Sequence, residues 1–297
     1  MSREILVTGG SGYVMSSVSE NMRRHGINVV APSHEELDFT DLDQVRNYIR
    51  KTGCEVFVHA GGYTNVPKAK IEFEKARLLN GKGTENAAIA CEEADARLVL
   101  IGSDFIFEGS EKNPGPYTEN SRRPESFTSI NIGSYGNSKL LAEYVAEKYC
   151  SKLSTIRISY PFGSSPGQKD YVMKLVSRMQ SGGSLFSDQL LTPTYLPDLS
   201  LALQRIIECG EDGKYHVACG GVTTPYEMGK YISDKIGINL NVCEGSLSKY
   251  LANPGVDIIP QFGGLDTTET RKRLGIEFHS WQEALDKYLQ KLTTFSF

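Results

Sequence analysis

Apolar residues are arranged in two alternating styles along the first half of the chain. EILVT at 4–8, INVVAP, EVFVHAGG, RLVLIGS and STIRIS are short apolar runs of the kind that form buried strands. Longer stretches with helical spacing lie between them. One runs from about Tyr13 to Arg24 and closes at His25-Gly26. A second, DLDQVRNYIRKTG, has an Asp N-cap and a Gly terminator, and others cover 68–94 and 137–149. Strands alternating with helices predict an α/β fold with a parallel, doubly wound sheet. After about Ser159 the pattern loosens. YPFGSSPG clusters Gly, Pro and Ser, shorter elements follow, and the chain ends with one more strand, KYHVA, and a helix in WQEALDKYLQKL. The expected organisation is a large domain over 1–160 that also takes in parts of about 190–220, with a smaller α/β lobe over 161–297. The longest irregular stretch is 105–134, and a long loop inside a compact domain is usually functional. There is no internal repeat.

Composition narrows the picture. The chain has 297 residues, formal charge −4 and 39% hydrophobic residues, enough for a sizeable core. Mild acidity argues against nucleic-acid binding, which needs clustered Lys and Arg. The six cysteines are scattered with no C-x-x-C pair, and the five histidines show no ligand spacing. Reduced thiols and a cytoplasmic location are expected, and no residue stands out as a metal ligand. MSREILVTGG runs straight into a strand, so no leader is expected. No apolar run approaches the roughly 20 residues of a membrane span.

The first strand leads into TGGSGYVMSS, residues 8–17. Gly9 and Gly12 stand where a G-x-x-G-x-x-G turn needs them, with Ser11, Tyr13 and Val14 completing the loop. After a strand and before a helix, such a turn points backbone N–H groups at a pyrophosphate. A plain tight turn is the competing reading. The third glycine position is Met15, which bears on helix–strand packing more than on the phosphate cradle. The acidic residue that usually meets the ribose 2′-hydroxyl is missing after the second strand, where Pro32, Ser33 and His34 stand. Ser33 facing a 2′-phosphate gives NADP(H) a slight preference over NAD(H), with a surface turn as the alternative.

SYGNSK supplies Tyr135 and Lys139, four residues apart and so on one helix face. An ammonium beside a phenol favours the phenolate and should lower its pKa from about 10. Alone, Y-x-x-x-K is common by chance. With the glycine loop and with Ser103 ending the strand RLVLIGS, it makes a Ser-Tyr-Lys set for hydride transfer. The strand's carboxyl end is where such sheets bind ligands.

These features resemble an extended short-chain dehydrogenase/reductase, most closely the dTDP-4-dehydrorhamnose reductase family. GSDFIFEG is similar to that family's S-T-D-Y-V-F-x-G stretch, GPYTENSRRP to its P-Y-x-E loop, and SDQLLTPTYLPDLS to its D-Q-x-x-x-P-T segment. LDTTETRKRLGI followed by SWQEAL matches its ending. The resemblance implies a Rossmann-type NAD(P)-binding domain and a substrate lobe. It implies that Asp38 and Phe39 hold the adenine edge and that Gly61, Gly62 and Tyr63 line the cofactor. Lys139 would also reach the nicotinamide ribose. Ser103 and Asp104 would touch a sugar that Tyr160, in place of the family's tryptophan, flanks. The implied activity is reduction of a 4-keto, nucleotide-linked sugar by NAD(P)H, with Tyr135 protonating the oxygen. The small-molecule sugar is the expected partner, and a homodimer is left open. Several positions depart from the pattern: Met15, Pro67 and Lys70, the longer ESFTSINIG, and Ile259 and Gly263 where the family has arginine and serine. A nucleotide-sugar epimerase, or a non-catalytic NAD(P)-binding subunit like the regulatory subunit of methionine adenosyltransferase, are the competing readings.

Overall fold

The computed structural model describes residues 4–164, 170–237 and 242–293. The five apolar runs become β1 (Glu4–Thr8), β2 (Asn28–Val30), β3 (Val56–His59), β4 (Arg97–Ser103) and β5 (Leu153–Ile158). The later strands are β6 (Ser184–Phe186), β7 (Gly213–His216) and β8 (Cys243–Gly245). All pairings in the main sheet are parallel, in the order β2-β1-β3-β4-β5-β7. The order reverses at β1, so a crevice opens beyond the carboxyl ends of β1 and β3. Such sheets bind ligands there.

Helices cover both faces. On one, α1 (Tyr13–Arg24) and α7 (Leu196–Cys209) bury Met15, Val18, Met22, Leu199, Leu203 and Ile206 against Ile5, Val7, Val58 and Ile156. On the other, α2 (Leu42–Thr52), α4 (Gly83–Glu93) and α5 (Gly133–Tyr149) enclose Leu6, Phe57, Leu98 and Leu100. Asp41 starts α2 by accepting from the amides of Asp43 and Gln44, and Gly53, at φ +62°, ends it.

The stretch expected as one helix over 68–94 is split. After α3 (Phe73–Ala76), residues Arg77–Lys82 form a π-helical turn that leads into α4. Gly81 and Gly83 let this turn crowd neighbouring elements. A Cβ on Gly81 would lie 2.5 Å from Leu141, and one on Gly83 2.5 Å from the Phe39 ring. The widened turn brings Asn80 into the interior.

A third hydrophobic cluster forms a core of its own. In it α6 (Tyr171–Gln180), α8 (Pro225–Ile236) and α11 (Trp281–Thr293) pack around Phe162, Leu185 and Tyr195. Next to them β6 and β8 form a two-stranded parallel sheet, which the sequence pattern does not announce. The short α9 (Leu247–Leu251) and α10 (Thr268–Leu274) complete the chain. The Gly/Pro/Ser cluster at 160–167 lies partly outside the described residues. No helix among the described residues is long and apolar enough to cross a membrane.

Candidate active site

β1 passes into α1 through Gly9–Gly12. Gly9 has φ +73°, and a Cβ there would sit 2.9 Å from the backbone of Ala60 and Gly61. Only glycine fits that approach. Gly12 is the N-cap of α1 and no side chain caps the helix, so its first-turn amides are free to meet an anion. Ser11 is exposed at the turn, and Tyr13 and Val14 are partly buried behind it. Met15 is 1% exposed among Ile5, Val7 and Val18. It packs beneath the helix and leaves the cradle clear. These features fit a dinucleotide pyrophosphate.

Beyond β2, Ser33 is already engaged. Its backbone N–H donates to Glu36 Oε2 at 2.8 Å, and its hydroxyl accepts from the Glu36 amide at 3.3 Å. Asp38 is exposed and accepts from the Thr40 amide and hydroxyl. Phe39 is a core residue, 3% exposed. Its ring backs Gly61, where a Cβ would lie 2.7 Å from it, and packs edge-on against His59. The ring therefore supports the wall of the crevice from behind. Gly62 has no room for a side chain, because a Cβ would run into Asn80 Oδ1. The Tyr63 amide donates to that same oxygen at 2.8 Å. Buried His59 pairs through Nδ1 with Thr8 Oγ1 at 2.8 Å. Burial, with the Lys139 charge nearby, pushes its pKa down to about 3, so the imidazole is neutral.

Ser103 closes β4, and Tyr135 and Lys139 lie on α5. The same packing that holds α5 against β4 puts Lys139 Nζ 2.8 Å from the Ile101 carbonyl, which accepts from it. Burial lowers the Lys139 pKa to about 8, opposed by Glu143 one turn on. The expected lowering of the Tyr135 pKa is not found. Burial and the Asp104 carboxylate push it up, and only the Ser103 hydroxyl works the other way. Tyr135 is thus held as the neutral phenol, a proton donor.

Asp104 lies at the centre of the site, 3% exposed. It accepts from Ser159 Oγ at 2.7 Å, and burial raises its pKa to about 6. The acidities of Tyr135, Tyr160 and Tyr171 are all weakened by this one carboxylate. Phe105 stands between Tyr135 (ring centroids 5.2 Å) and Tyr160 (6.1 Å). The structure therefore brings Ser103, Asp104, Tyr135, Lys139 and Tyr160 to one edge of the sheet. Gly9, Gly12, Gly61 and Gly62 lie at the adjoining crevice.

Sequence reasoning missed several supporting residues. Asn80 Nδ2 donates to Ser138 Oγ at 2.8 Å and Ser138 Oγ to the Tyr135 carbonyl at 2.7 Å, tying the Tyr63 loop to α5. Fully buried Glu143 receives Arg157 Nε and Nη2, each at 2.9 Å, and also pairs with Arg123. Glu143 stands four residues after Lys139, so helical spacing could have flagged it. Asp170 accepts from the Tyr13 hydroxyl and Gln189 Nε2 donates to Tyr160 Oη at 2.8 Å; helical spacing flags neither, because these partners meet only through the fold.

A family model for the RmlD substrate binding domain matches residues 3–294. The chain belongs to this family. It is 28% identical to a dTDP-4-dehydrorhamnose reductase of Mycolicibacterium smegmatis, over 80% of this chain and 70% of that one. It is 25% identical to the spore coat polysaccharide biosynthesis protein SpsK of Bacillus subtilis, over 97% of each. The structure of a dTDP-4-dehydrorhamnose reductase from Bacillus anthracis, in complex with NADP, superposes with a TM-score of 0.87 at 25% identity. That match covers 98% of this chain and 100% of the other. The Rossmann-like sheet and the small second sheet are thus a family architecture.

Proposed function

We propose that this protein is an NAD(P)H-dependent reductase of a 4-keto sugar carried on a nucleotide. The observation that carries the reading is the meeting of Ser103, Tyr135 and Lys139 at the carboxyl edge of the sheet, beside an uncapped, glycine-lined helix N-terminus. Homology to dTDP-4-dehydrorhamnose reductases supports the same reaction class. In this reading Gly9, Ser11, Gly12, Tyr13 and Val14 hold the pyrophosphate, and Gly61, Gly62 and Tyr63 line the cofactor's path. Asp38, Phe39 and Ser33 border its adenosine end. The cofactor supplies the hydride.

The protein's own residues supply the proton and the geometry. Ser103 holds the ketone oxygen. Tyr135, kept protonated by burial and by Asp104, gives its hydrogen to that oxygen as negative charge develops there. Lys139, anchored on the Ile101 carbonyl, places positive charge behind the phenol and steadies the phenolate that is left. Asp104 and Tyr160 contact the sugar.

The test is oxidation of NADPH and NADH in the presence of dTDP-4-dehydrorhamnose, with Tyr135→Phe alongside. General-acid catalysis is typically worth 10²–10⁴-fold, so the variant should lose about that much kcat while still binding cofactor. Near wild-type turnover in Tyr135→Phe would remove the tyrosine from the mechanism. Cofactor binding with no turnover of any keto sugar would favour a binding subunit.

A further inference from the structure

α5 carries Tyr135 in its first turn, yet its own sequence provides no cap. Ile132 stands at the N-cap and has no side-chain oxygen to offer the free amides of that turn. The acceptor comes from 123 residues further along the chain. Asp257 Oδ2 accepts from the Ser134 amide at 3.0 Å, while Asp257 Oδ1 accepts from the Ile258 amide at 3.0 Å. One oxygen holds the helix start and the other fixes the carboxylate on its own backbone. Gly133, the first residue of α5, has φ +65°, and a Cβ there would lie 2.5 Å from the Ile258 carbonyl oxygen and 3.1 Å from Asp257 Oδ1. Only glycine lets the two segments approach so closely.

Asp257 belongs to residues 252–263, which run from the end of α9 back to Asp104. Both roots of this segment are tied down. At one, Asp188 accepts from the amides of Leu247 at 2.6 Å and Ser248 at 3.2 Å. At the other, the Leu190 amide donates to the Gln261 carbonyl at 2.8 Å, and Gln189 Nε2 to the Pro260 carbonyl at 3.2 Å. Gly263 then passes so near Asp104 that a Cβ on it would lie 3.8 Å from Oδ2. Between the roots the segment is loosely held. Residues 252–255 are exposed and 256–259 partly so. Among the described residues, the hydrogen bonds of 252–259 stay within the segment and α9, apart from the one Asp257 makes to Ser134. The segment is a strap fixed at its ends, and its one outward hydrogen bond goes to the turn that carries Tyr135. The next turn of α5 is held independently, by Lys139 on the Ile101 carbonyl and by Ser138 with Asn80.

We propose that Asp257 is a positioning residue for Tyr135. With the strap down, its carboxylate caps α5 and holds the proton donor's turn in place; with the strap lifted, that turn frays. The placing of Tyr135 thereby follows the segment that borders Asp104. The catalytic half of this proposal rests on the reductase reading of the site, and the coupling of strap to helix does not.

The test compares wild type, Asp257→Ala and Asp257→Asn, because asparagine caps a helix as well as aspartate does. Amide hydrogen exchange, followed by mass spectrometry on the whole protein, reads residues 133–139 and 252–259. Asp257→Ala should speed exchange in both stretches by roughly three- to thirtyfold, the usual worth of a side-chain cap, and Asp257→Asn should restore most of the protection. With NADPH and dTDP-4-dehydrorhamnose, Asp257→Ala should lower kcat by on the order of tenfold, the effect of a misplaced reacting group. NADPH affinity, followed by fluorescence, should stay unchanged, and Asp257→Asn should recover the rate. Exchange at 133–139 that Asp257→Ala leaves unchanged would overturn the proposal, because α5 would then hold its own first turn. Faster exchange in both stretches with an undiminished kcat would overturn it too, since the cap would then be structural alone. A kcat that Asp257→Asn fails to recover would likewise overturn it. Wild-type protein that reduces no keto sugar, yet shows the linked exchange, would end the reductase reading and leave the coupling of strap to helix standing.

Discussion

Tyr13, the first residue of α1, donates its hydroxyl hydrogen to the buried carboxylate of Asp170, the N-cap of α6. The same carboxylate accepts from the amides of Gly163 at 3.1 Å and Met173 at 2.9 Å. The residue that follows the glycine turn is thus fastened to the start of α6. Tyr13→Phe keeps the ring but leaves a buried carboxylate one donor short. That should cost about 1–3 kcal/mol, seen as a lower urea midpoint with unchanged slope. An unchanged midpoint would mean that the pair contributes nothing net.

This pair marks the limit of what the chain's pattern discloses. The main sheet was legible because β1, β3, β4 and β5 are buried on both faces and so read as unbroken apolar runs. Gly9, Ser103, Tyr135 and Lys139 were legible because their spacing is local to a turn, a strand end or a helix face. Tyr13–Asp170 and Tyr160–Gln189 are 157 and 29 residues apart, and no periodicity links them. The sheet of β6 and β8 was hidden for a different reason. Each strand is three residues long, too short for alternation to show. The expected acidity of Tyr135 failed because spacing gives the neighbouring charge but not the burial that outweighs it.

Met15 occupies the third glycine position and is fully enclosed by the sheet-facing core. Met15→Gly should therefore destabilise the protein. The void alone should cost on the order of 2–5 kcal/mol, and a glycine inside α1 roughly 1 kcal/mol more. Restoring the glycine pattern is expected to harm the protein even though it matches the motif. A thermal melt at or above the wild-type temperature would contradict this.

Glu36 folds back onto Ser33, and its pKa is lowered chiefly by the Ser33 amide, so it is ionised at neutral pH. A carboxylate at this turn repels a 2′-phosphate and leaves a 2′-hydroxyl unaffected. Glu36→Gln should tighten NADPH binding severalfold and leave NADH binding nearly unchanged, with the difference shrinking as salt rises. Fluorescence titration of both cofactors at two salt concentrations measures it. Equal changes for both cofactors would place Glu36 away from the ribose.

Asp104 gives a pH dependence whose sign can be worked out. Its pKa rises from 3.8 unfolded to about 6 folded, mainly through burial. Between those values the folded protein holds more protons than the unfolded chain, so stability falls as pH rises across that window. The favourable contribution is complete below about pH 4 and gone above about pH 6. At two pKa units the difference is about 3 kcal/mol at most, since one unit is 1.36 kcal/mol. Asp104→Asn removes the charge and keeps a carbonyl oxygen to accept from Ser159. The variant should be more stable than wild type by about 1–3 kcal/mol at pH 7.5, and the gap should close as pH approaches 4. A gap that is independent of pH would mean that Asp104 titrates alike folded and unfolded. Extra stability bought with lost turnover would be the pattern expected of a buried carboxylate kept for the substrate.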